Sequence, residues 1–187
     1  DLLFLDADTL VVRLLDPALA GSRSVRLAHD RHRPRGGPVL QLSGWVEDLL
    51  VRAGVRAGFP IVTYEPEYDT AHQTVLDPAS ELYAFRPDFV VLLTAIQALR
   101  NRLLAAGPDD RARVAEHEVD DLVALVERLA ELEGVTVVVN ELVIPYERAW
   151  GNFTAHVPAS LPNVARGINE RLRRLAEEIP NVYTLDC

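Results

Sequence analysis

Residues 75–93, VLDPASELYAFRPDFVVLL, run from a helix start through a proline stop into an apolar strand, and this stretch limits the chain to few fold classes. Leu76, Leu82 and Phe85 supply apolar anchors, Asp77 suits an N-cap, and Pro78 suits the first helical position. Pro87 ends the helix because proline has no amide hydrogen to donate. Residues 89–93 then form a continuous run of branched and aromatic side chains, as in a strand covered on both faces of a parallel sheet.

The alternation continues in both directions. Residues 39–42 read as a short first strand, and 45–57 as a helix with Val46, Leu49, Leu50 and Ala53 at helical spacing. Residues 60–64 read as the second strand and 89–93 as the third. Pro108, Asp109 and Asp110 open a long helix whose Leu122, Val126, Leu129 and Leu132 form one stripe, with Gly134 as its C-cap. Residues 135–139 read as the fourth strand. Leu161, Val164, Ile168, Leu172, Leu175 and Ile179 then define a last helix, which Pro180 stops before a fifth strand at 182–185. Five strands separated by helices predict an α/β fold: a three-layer, doubly wound, mainly parallel sheet in flavodoxin-like order with right-handed crossovers. Residues 1–37 read as an N-terminal segment, a short helix or two through Ala20 and then the loop GSRSVRLAHDRHRPRGG, which leaves 38–187 as the α/β domain.

Composition narrows the function classes. The 187 residues fit one domain, and a formal net charge of −9 argues against nonspecific nucleic-acid binding, which needs a basic footprint. The basic cluster in the 21–37 loop reads as a solvated linker or as a docking surface for an acidic partner. Asp6, Asp8 and Arg13 put too many charges into the apolar start for a membrane span or a signal core. Cys187 is the single cysteine, which suits a reducing cytoplasm and no internal disulfide framework. Methionine is absent even from position 1, so a processed or excised piece of a longer product is expected. All 19 basic residues are arginine, a sign of nucleotide-composition bias more than of chemistry.

In a doubly wound sheet, ligands collect at the carboxyl ends of the strands. The residues there are Ser43, Gly44 and Trp45, then 65–69, then Thr94 and Gln97, then Asn140 and Glu141, then Asp186. Tyr64, Glu65, Glu67, Tyr68 and Asp69 form an acidic, aromatic loop that would repel a phosphorylated substrate. No metal or cofactor is expected, because the histidines are scattered and neither His-x-x-x-His nor paired cysteines occur.

The stretch VLDPASELYAFRPDFVVLL, with VLQLSGW and YEPEYDTAHQT before it and NELVIPYERAWGNF and NVYTLDC after it, resembles the amino-terminal region of the FkbH-like family over about residues 39–187. The resemblance implies an SGNH-hydrolase-like fold paired with a haloacid-dehalogenase-type domain that loads a glyceryl unit onto an acyl carrier protein in polyketide-type biosynthesis. The implied partners are that carrier protein and a fused or adjacent haloacid-dehalogenase-type domain.

Two departures separate this chain from the enzymes it resembles. The phosphotransfer loop Asp-x-Asp-x-Thr has only a near match one residue short, Asp6-Ala7-Asp8-Thr9, placed before the sheet instead of after it; it reads as chance. SGNH hydrolases use a Gly-Asp-Ser turn, later a glycine and an asparagine, and finally Asp-x-x-His. Here Trp45 stands where the serine belongs, Ser43 where the glycine belongs, and 94–97 reads Thr-Ala-Ile-Gln instead of Gly-x-Asn. A serine without a base is a poor nucleophile. The expectation is therefore a non-catalytic SGNH-like module, the alternative an SGNH-class esterase or thioesterase. Under that alternative the catalytic residues are Ser43, Asn140 as an oxyanion donor and His156, with His72 a second possible base. The substrate is then bound by Gly44, Trp45, Thr94, Gln97 and Asn152. Trp150 reads as packing beside the crevice, and His117 as solvated.

Overall fold

The computed structural model describes residues 7–14, 42–58, 61–66, 70–107, 109–146 and 151–186, with side chains described from residue 48 onward. Five strands form one sheet: β1 (Ala7–Leu14), β2 (Ile61–Tyr64), β3 (Phe89–Thr94), β4 (Thr136–Asn140) and β5 (Val182–Leu185), in the order β2-β1-β3-β4-β5. The helices are α1 (Leu42–Ala57), α2 (Ala71–Leu76), α3 (Glu81–Phe85), α4 (Ile96–Ala105), α5 (Arg111–Ala130) and α6 (Leu161–Glu178), and Gly151–His156 is a 3₁₀ turn.

β3, β4 and β5 are parallel, in the register Val90↔Val137 and Val138↔Tyr183. β1 runs against both of its neighbours, with Val11 opposite Tyr64 on one side and Val90 on the other. The sheet is therefore mixed, and its first member is not the one the sequence predicts. Residues 7–14 form a strand instead of a helix: a short apolar run fits either element, and the partners on both sides decide. Leu42, expected to end a strand, opens α1. Residues 39–41 and the boundary at residue 37 lie outside the described residues. Asp8 and Thr9, from the near match to a phosphotransfer loop, sit inside β1.

The central motif is divided differently from its prediction. Asp77 caps a turn between α2 and α3 by accepting the Ala79 amide at 2.9 Å, and Ser80 is the residue that precedes α3. The helix therefore starts three residues beyond Pro78. Arg86 ends it at φ 53, in the left-handed region common after a helix. α5 likewise ends at Ala130, and Gly134, expected as its C-cap, instead takes φ +76 in the turn before β4.

Alternation along β3 separates the two sides of the sheet. Val90 and Leu92 join Val137, Val139 and Val182 in the main core, against Val75 and Leu82, Leu99 and Leu103 of α4, the α5 stripe, and Val164, Ile168, Leu172 and Leu175 of α6. Phe89 and Val91 instead pack with Ile61 and with Leu50 and Val51 of α1. So α1 lies against one side of β3, and α2, α5 and α6 belong to the other. Burial of these side chains, at roughly 25 cal/mol per Å² of apolar surface, is the main force holding the helices on.

A candidate site at the carboxyl ends of the strands

The carboxyl ends of β3 and β4 are locked together by one amide. Asn140 Oδ1 accepts the Thr94 amide at 2.5 Å, while Asn140 Nδ2 donates to the carbonyls of Thr94 and Glu141, both at 3.1 Å. Thr94 Oγ1 adds a bond to Asn140 Oδ1 at 3.2 Å. The main-chain register between the strands ends at Leu92↔Val139, and the Asn140 side chain extends the ladder past it. Both Asn140 amide hydrogens are thereby engaged, leaving none for an oxyanion in this arrangement.

The chain leaving β4 is held by α6. Asn169 accepts the Leu142 amide and donates to the Leu142 carbonyl, each at 2.8 Å, so a buried side chain pairs with the loop as a strand would. One turn further on, Arg173 Nε donates to Glu141 Oε1 at 2.7 Å and its Nη2 pairs with Glu141 Oε2, satisfying a buried carboxylate. These contacts tie residues 141 and 142 to α6.

Beyond them is a cavity of about 290 Å³ between that loop, the 3₁₀ turn and the first turns of α6. Ile144, Pro145 and Pro162 give it apolar wall, and Tyr146, Asn152 and Arg166 give it polar groups. Its floor is built from within. Thr154 Oγ1 donates to the Gly151 carbonyl at 2.8 Å, and Asn163 Nδ2 donates to the carbonyls of Thr154 and Val157 at 3.1 and 2.9 Å. Two aromatic rings stand outward nearby, Tyr146 at 96 % exposure and Phe153 at 64 %.

The residues singled out in the sequence are distributed unevenly. Thr94 and Asn140 are brought together, and Asn152 lines the cavity. His156 is exposed on the same 3₁₀ turn, its ring 5.3 Å from that of Phe153. Gln97 is exposed on α4. Ser43, Gly44 and Trp45 fall in the first turn of α1, and Trp150 lies outside the described residues. His72 belongs to α2, on the other side of the sheet from α1; burial lowers its pKa, against the opposing pull of Asp121. His117 is half exposed, 3.4 Å from Asp121 Oδ2. Among the described residues no cluster of histidine, cysteine or carboxylate side chains could hold a metal, and no helix is long and apolar enough to cross a membrane.

Sequence reasoning missed Arg166, Asn169 and Arg173. Asn169 left a readable signal: it follows Ile168 and sits three residues before Leu172, a polar residue on the buried stripe of an amphipathic helix.

The sequence profile of the FkbH N-terminal domain matches residues 50–187. The chain belongs to this family. The match to the FkbH N-terminal domain covers β2 to β5, hence the strand-end lock, the α6 clamp and the cavity. No curated protein matches. A solved structure that does is the N-terminal part of the protein BF1531 from Bacteroides fragilis, containing a phosphatase domain complexed with Mg. It is 22 % identical, with a TM-score of 0.58 over 66 % of this chain and 32 % of that one, so the likeness is one of fold. The likeness of this FkbH-type chain spans about a third of the length of that solved chain.

Proposed function

We propose that this chain is the SGNH-like module of an FkbH-like protein that loads a glyceryl unit onto an acyl carrier protein, and that the module positions the carrier or a haloacid-dehalogenase-type domain without performing chemistry. The family match over residues 50–187 is the observation that carries this reading. The fold shared with a protein that contains a phosphatase domain supports the pairing with such a domain. In this reading the setting is cytoplasmic polyketide-type metabolism, and the Asn140 amide is a structural tie. Loading by the full-length product, compared with a version lacking this region, tests the role. Deletion is expected to weaken carrier affinity by about tenfold, ~1.4 kcal/mol. Unchanged loading and unchanged carrier affinity would remove it.

The second reading is an SGNH-class esterase or thioesterase, which the cavity next to Asn152 favours. It needs Ser43 as nucleophile with His156 as base, and it requires the Asn140 amide to leave its present bonds before it could receive an oxyanion.

A further inference from the structure

Among the described residues, the cavity beside the carboxyl end of β4 has one charged residue in its lining, Arg166, together with Asn152, Tyr146 and the apolar Ile144, Pro145 and Pro162. Arg166 Nη1 donates to Asn163 Oδ1 at 3.0 Å, a neutral acceptor that orients the guanidinium. Among the described residues no carboxylate pairs with it, whereas Arg173 and Arg174 on the same helix are each engaged by one. The cavity also meets the first turn of α6, the positive end of an 18-residue helix. The volume, about 290 Å³, is at the small end for ligand pockets, which run from roughly 300 Å³ upward.

We propose that this cavity binds a small organic anion, a carboxylate or phosphate ester on a short carbon body, with the charged end on Arg166 and the carbon body against Ile144, Pro145 and Pro162. The proposal builds on reading the crevice as ligand-facing and adds the class of ligand. A guanidinium presents parallel donors that match the oxygen pair of a carboxylate or phosphate, and Asn152 supplies a further polar contact beside it. Thr154 and Asn163 hold the floor in place before any ligand arrives, so little ordering opposes binding.

The test is a titration of the full chain, followed by NMR of the Asn152 amide and Arg166 guanidinium signals, with butyrate, ethyl phosphate, inorganic phosphate and neutral butanol as probes. Butyrate or ethyl phosphate is expected to shift both signals saturably, butanol is not, and added salt is expected to weaken the response. Arg166→Gln should lose at least about tenfold in affinity, Arg166→Lys should keep part of it, and Arg174→Gln should keep all of it. Arg166 and Arg174 are both exposed, so a dispersed amide spectrum will show that each variant is folded. The proposal is overturned if neither organic anion binds saturably, if phosphate alone binds, if butanol matches butyrate, or if Arg166→Gln binds as the parent does. Because binding is read without loading or ester turnover, its failure is distinct from failure of the carrier-loading role.

Discussion

Replacing Arg102 with methionine is expected to destabilise the chain by about 3–5 kcal/mol at pH 8 and by far less at pH 5. Arg102 of α4 lies 2.7 Å from Glu118 of α5, whose side chain is 1 % exposed. Both Glu118 oxygens and the Arg102 Nε and Nη2 atoms are buried without a well-directed hydrogen bond, so charge attraction carries the pair. Burial raises the Glu118 pKa to about 7; Arg102 pulls it down, Asp121 pushes it up, and His117 pulls it down more weakly. Removing Arg102 leaves a buried carboxylate uncompensated at high pH. At pH 5 the carboxyl is neutral and needs no cation.

The same group sets a pH dependence in the unaltered chain. A carboxyl with a folded pKa of about 7 against 4.5 when unfolded binds more protons in the folded state between those values. Stability contributed by Glu118 is therefore full below pH 4.5, falls as pH rises through 7, and is lost to the extent of about 3 kcal/mol by pH 8. His72 acts in the opposite sense, since a lowered histidine pKa favours the fold as pH rises toward 6.5. The difference between the parent and Glu118→Gln, from urea midpoints at each pH, isolates the carboxyl. A difference that stays flat from pH 5 to 8 would contradict the account.

Asn140→Ala carries the second large effect, a loss of about 2–4 kcal/mol. Thr94 is buried, and the truncation strips the partners from its amide and its carbonyl on the β4 side while leaving nothing of similar shape to replace them. Urea unfolding gives the loss, and faster hydrogen exchange at the Thr94 amide should accompany it. A variant as stable as the parent, with Thr94 still protected, would mean that the amide is dispensable for the lock.

The strands β2 to β5 and the helices α1, α5 and α6 were legible because each couples an apolar run or stripe to a clear stop, as Pro180 ends α6 ahead of β5. β1 was not legible: its apolar run fits a helix as well as a strand, and only pairing with both Tyr64 and Val90 distinguishes them. Short α4 lacks a cap signal and is set by Leu99 and Leu103 meeting the core. At the site, Asn140 and Thr94 were found by position, but their role follows from bond partners that spacing cannot reveal. Glu118 lies in the charged run AEHEVDD, four residues before Leu122 on the buried stripe, and its burial is set by tertiary packing that the run does not reveal. Arg166 is one arginine among many until the cavity around it exists.

The absence of hydrolytic chemistry in this chain is the proposition tested most directly by incubating it with activated esters and a serine-directed phosphonate. The prediction is no turnover above buffer and no labelling at Ser43. Turnover that disappears in Ser43→Ala, with the phosphonate attached to that serine, would contradict it.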